Sequence, residues 1–190
     1  MEYFKLGYAK LDRMKQDPGA VRELAVQAGQ LGQWKQAIEL WNRLLELRPA
    51  YGEAMINLAG AYWNLESYGQ SLHWAQKAVQ HNRKVKEAPF NLAISLLFLG
   101  RFEEAQTVLE TLLQTCPSYL AAGFMLTVAY ACHRKEHQAK QALLKLKNTP
   151  VVKALPMALN DVVQRMIRAG HPTAAQNVAA MLKNEFSSAN

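Results

Sequence analysis

The segment His133-Arg134-Lys135-Glu136-His137 has the H-x-x-E-H spacing with which two imidazoles and a carboxylate serve zinc-dependent peptidases. That chemistry needs both histidines on one face of an unbroken helix and a third ligand nearby. Here the motif falls in a turn between two paired helices and no third ligand is evident, so no metal site is predicted. His73, His81 and His171 are scattered. Cys116 and Cys132 form no C-x-x-C pair and are too few for a disulfide framework, which fits a reducing compartment; neither is placed as a nucleophile. Ser/His/Asp arrangements, paired pocket acids, G-x-G-x-x-G and P-loop motifs are all missing. The expectation is a protein that is not an enzyme, with no cofactor and no small-molecule substrate.

A second chemical feature is charge. The formal net charge is +7, and residues 134–153 hold Arg134, Lys135, Lys140, Lys145, Lys147 and Lys153 against the single carboxylate of Glu136. Such a ridge can meet an acidic protein, an anionic membrane or nucleic acid, and phosphate contacts would make binding strongly salt-dependent. Lys135, Lys140 and Lys147 would carry that alternative function. A solvated face is the plainer reading, since no zinc-finger, RNA-recognition or Gly-rich phosphate motif accompanies it.

The elements that must position these residues follow from composition and period. With 190 residues, 50% hydrophobic and 19% charged, the chain is expected to fold as one compact unit, and no run approaches the ~20 apolar residues of a membrane span. Residues 1–8 carry charges and Gly where an export signal needs an apolar stretch, so a cytoplasmic location is expected. Leu24, Leu58, Leu92 and Leu126 recur at intervals of 34, and Ala25, Ala59 and Ala93 follow them until Thr127 breaks the column. Ala37, Ser71, Ala105 and Ala139 form a second column of small residues, preceded by Trp34, Tyr68 and Phe102.

Each period reads as two amphipathic helices, with apolar residues at three- and four-residue steps over 21–31 and again over 34–47. Gly32 and Gly100 lie in the intervening turns, where Gly accepts the left-handed conformation that ends a helix. Pro49 and Pro117 close second helices. Small residues at the crossings let helix axes approach closely.

This pattern resembles the tetratricopeptide repeat, a helix-turn-helix of 34 residues. Trp41 takes the aromatic place four residues after Ala37, Tyr62 takes the tyrosine place after Leu58 and Ala59, and Pro49 and Pro117 take the closing proline. The resemblance implies an all-α, right-handed α-solenoid with four units at 18–51, 52–85, 86–119 and 120–153. Residues 157–169 and 173–186 read as a degenerate fifth pair within a C-terminal cap, 154–190, with its turn at Gly170-His171-Pro172. An N-terminal helix, 1–17, carries Phe4, Tyr8 and Leu11 on one stripe; it either caps the stack or enters a groove.

In the family, first helices line a concave groove. This implies a peptide-binding surface of Arg22 and Val26, then Ile56, Asn57, Gly60, Trp63 and Asn64. It continues through Phe90, Asn91, Ile94, Leu97 and Phe98 to Phe124, Val128, Ala131 and Cys132. Trp63, Phe90, Phe98 and Phe124 would anchor a peptide, while Asn57 and Asn91 would pair with its backbone or else bond to neighbouring segments. The implied function is a protein-protein interaction scaffold or adaptor. The apolar wall equally permits burial within the chain, or self-association into a homo-oligomer.

Overall fold

The computed structural model describes residues 16–82, 84–147 and 149–186. The N-terminal helix expected over 1–17 therefore lies almost wholly outside the described residues. The chain forms two compact units, one up to Asn91 and one from Leu92, where length alone predicts a single core. A repeat explains such a division, because within each unit the helices pack mainly on their neighbours in sequence.

The first unit holds α1 (Pro18–Gln30), α2 (Trp34–Leu47), α3 (Gly52–Asn64) and α4 (Tyr68–His81). Asp17 starts α1, its carboxylate accepting from the backbone N–H groups of Gly19 and Ala20, with Pro18 at the first helical position. Successive helices pack on one another, α1 on α2, α2 on α3 and α3 on α4. Val21, Ala25, Trp41, Leu44 and Leu58 form the core, bordered by Tyr51, Tyr62 and Trp74. Ser71 interrupts an alanine column without an unsatisfied hydroxyl, because Oγ donates to the Ala59 carbonyl at 2.8 Å.

Helix α5 (Glu87–Phe98) spans the boundary between the units. The second unit continues with α6 (Phe102–Thr115), α7 (Leu120–Cys132), α8 (Glu136–Lys147), a 3₁₀ turn (Pro150–Ala154), α9 (Leu155–Arg168) and α10 (Pro172–Phe186). Helix α7 packs on α6 and α8, and α10 packs on α9 and also along α7. Thr127 is fully buried in the column of small residues, its Oγ1 donating to the Gly123 carbonyl one turn back.

Every hairpin turn ends its first helix alike. A residue with left-handed φ occurs at Gly32 (+70°), Glu66 (+58°), Gly100 (+77°), Arg134 (+57°) and Gly170 (+85°). The next N–H then bonds back over the last helical turn: Gln33 to Ala28, Ser67 to Tyr62, Arg101 to Leu96, Lys135 to Tyr130 and His171 to Met166. Glu66 and Arg134 occupy this seat against the usual steric cost, so the turn geometry is imposed by the packing of the flanking helices.

Among the described residues no helix is long and apolar enough to cross a membrane.

Candidate functional site

Helices α1 and α3 bring Arg22, Val26 and Asn57 to the rim of an open cleft of about 410 Å³ in the first unit. Its floor is Ala25, Ala37 and Trp41, all buried, and Trp34 and Gln30 also line it. Small side chains make the space: Gly29 and Ala61 stand where longer residues would fill it.

Glu53 sets the electrostatics. Its carboxylate receives two hydrogen bonds from Arg22, Nε to Oε2 and Nη2 to Oε1, each 2.8 Å, and a third from Tyr51 Oη at 3.3 Å. The paired hydrogen bonds with Glu53 raise the pKa of the Arg22 guanidinium. This fork ties α1 to α3 across the cleft and sets an internal counter-charge beside Arg22. A peptide carboxylate arriving there would meet a neutralised pair, not an isolated cation.

The asparagines have structural work as well. Asn57 Nδ2 donates to the Glu53 carbonyl in its own helix at 2.8 Å, and Asn91 Nδ2 donates to the Ile56 carbonyl at 3.0 Å, joining α5 to α3. Asn64 Nδ2 likewise donates to Gly60 at 2.8 Å. Ile56, Trp63, Asn64, Phe90 and Phe124 are half-buried. A β-carbon at Gly60 would meet nothing within 4 Å, so α3 faces open space there.

Several groove residues expected in the second unit are covered within that unit. Phe98 is 1% exposed and Ile94 5%, which corrects their assignment as peptide contacts: both are core residues. Leu97, Val128, Ala131 and Cys132 are buried too. The chain supplies its own cover. Helix α10 lies along α7, Met166 Sδ sits 3.7 Å from Cys132 Sγ, and His171 Nε2 lies 3.1 Å from the Phe98 carbonyl. A carbonyl only accepts, so Nε2 carries the proton and donates. The His171 ring also meets Phe102 edge-on at 5.8 Å.

Burial pushes the Cys132 thiol up to about 12. With its thiolate suppressed, Cys132 is expected to react with an aromatic disulfide at pH 8 about tenfold or more slowly than half-exposed Cys116, becoming fast only in denaturant. Equal rates in the native protein, measured by absorbance and peptide mapping, would contradict the covered groove.

The H-x-x-E-H spacing is divided by the turn: His133 caps α7, Arg134 is left-handed, and Glu136 begins α8. His137 Nε2 lies 2.9 Å from Gln141 Nε2. Among the described residues no group of three His, Cys, Asp or Glu side chains could hold a metal ion.

Tetratricopeptide repeat profiles match residues 22–89 and 87–119. The chain belongs to the tetratricopeptide repeat family. Its fold is the all-α solenoid of helix-turn-helix repeats that the family shares. Among solved structures it is similar to YrrB, a TPR protein with an unusual peptide-binding site, at 13% identity and a TM-score of 0.66, covering 96% of this chain and 93% of that one. The first TPR of Spaghetti (RPAP3), bound to the HSP90 peptide SRMEEVD, matches at 22% identity and 0.57, over 68% of this chain and 95% of that one. A mutant O-GlcNAc transferase from Thermobaculum terrenum matches at 24% identity and 0.58, over 60% of this chain. The tetratricopeptide chain spans only 22% of that transferase. No curated protein matches significantly.

Sequence reasoning missed Glu53, Trp34, Gly29 and Gln30 as parts of the cleft. The signal for Glu53 was its position three residues before Ile56, one turn along the same helix face. The covered wall also had a signal, since α7 contains no charged residue, as in a helix buried on all sides.

Proposed function

We propose that this protein is a non-catalytic interaction scaffold that holds a peptide segment of a partner in the cleft between α1 and α3. The observation that carries the reading is the open cleft itself, with an apolar floor and amide and charged groups at its rim. Pockets of roughly 300–1,000 Å³ with a few convergent polar groups are the usual dimensions of a ligand site. The family supports a protein-interaction role, and two of its structural neighbours are peptide-binding TPR proteins. In this reading the units 18–51, 52–85, 86–119 and 120–153 form the array and 154–190 closes it.

Val26, Asn57 and the half-buried face of Ile56, Trp63 and Asn64 would contact the guest, and the Arg22–Glu53 fork would fix the spacing of the walls. Gln30 is exposed at the cleft's end, so Gln30→Trp fills the space without touching the core. Selection by phage display on the whole chain is expected to enrich one group of peptides that bind Gln30→Trp about tenfold or more weakly, while Gln30→Ala retains them and melting is unchanged. Undiminished binding to Gln30→Trp of every selected peptide, measured by fluorescence anisotropy, would refute the site.

A further inference from the structure

The second unit carries another opening, on different helices. The end of α6, the face of α7 and one stripe of α8 enclose a cleft of about 650 Å³. Leu113, Leu120 and Leu126 give it an apolar wall, and Leu120 stays 37% exposed. Gln138, Gln141 and Lys145 line the opposite side at helical spacing, and Lys145 is the only charged residue of the lining.

The one charged side chain in the lining is a cation, and the Glu110 carboxylate is held by the hydroxyl of Tyr130, another lining residue. Lys145 belongs to the ridge of six cations between residues 134 and 153. The ridge's one carboxylate, Glu136, lines a separate pocket beside Arg134 and Lys140. Glu110, the acid nearest Tyr130, accepts the Tyr130 hydroxyl at 2.7 Å and Gln106 Nε2 at 2.8 Å. Lys135 Nζ donates to Gln106 Oε1 at 2.7 Å, so a cation and the Glu110 carboxylate share the same amide as partner.

We propose that this cleft is a second docking surface, taking a protein segment in which apolar anchors alternate with acidic residues. The apolar wall receives the anchors, Gln138 and Gln141 offer amides to the backbone, and Lys145 meets a carboxylate. Charge complementarity selects such a segment over a basic or purely apolar one. Nucleic acid fits less well, because a lining with one lysine offers no track of phosphate ligands.

Peptides displayed on phage and selected on the whole chain test this directly, with Lys145→Glu and Leu120→Asp as separate variants. Both residues are exposed, so thermal melting by circular dichroism serves as the check on folding. Selection is expected to enrich acidic-apolar peptides that bind both variants about tenfold or more weakly yet bind Gln30→Trp normally. The proposal falls if no such peptide is enriched, if the peptides bind either variant as well as wild type, or if single-stranded RNA displaces them. Because Gln30 lines the other cleft, failure at α1 and α3 is read separately from failure here.

Discussion

Replacing Phe98 with alanine is expected to lower the stability of the second unit by about 3–5 kcal/mol, the cost of removing a large aromatic side chain from a closed core. Its 1% exposure leaves little room for water to fill the vacancy. All four tryptophans lie in the first unit, so chemical denaturation followed by circular dichroism, not tryptophan fluorescence, measures the change. A loss below about 1 kcal/mol would return Phe98 to the groove, where a side chain facing solvent contributes little to folding.

The second large effect is expected at Gly100. A β-carbon there would lie 2.7 Å from His171 Cε1 and 3.3 Å from Nδ1, and φ is +77°. Gly32 has the same seat at +70° with nothing within 4 Å, so it isolates the backbone strain from the collision. Gly32→Ala is expected to cost about 1–2 kcal/mol. Gly100→Ala should cost about 1–2 kcal/mol more, because the imidazole must move and its hydrogen bond to Phe98 is lost. In a His171→Ala background the excess should vanish, since the two groups are then no longer coupled. Equal costs for the two glycine substitutions in the wild-type background would show that His171 is not seated against this turn.

The helix pairs were legible because their signals are local. Leu24, Leu58 and Leu92 mark packing positions by identity, and Gly32 and Gly100 mark left-handed turns because few other residues accept them. At Glu66 and Arg134 the period alone located the turn and the left-handed residue went unmarked, since a conformation imposed by flanking helices leaves no trace in residue type.

The candidate site was legible only in part. Arg22, Val26 and Asn57 do share one cleft. Ile94 and Phe98 have the same spacing as true groove residues, and hydrophobic periodicity does not distinguish a face covered by another molecule from one covered by the chain's own helix. The charge-free composition of α7 pointed to the second case for Val128, Ala131 and Cys132, but nothing comparable marked Ile94 and Phe98 on α5. The Arg22–Glu53 fork joins residues 31 positions apart, a relation no single helical pattern contains.

Arrays of helix pairs gain most of their contacts from near neighbours in sequence, and chains of that kind fold fast. The contact of His171 with Phe98 bridges 73 positions, just over two periods of the repeat. Its formation must await the intervening helices and bear a larger loop-closure entropy, so this clasp is expected to set late on the folding path. Amide-exchange protection around 169–171 should accordingly appear after protection in α6 and α7, which gives the end of the molecule a kinetic identity of its own.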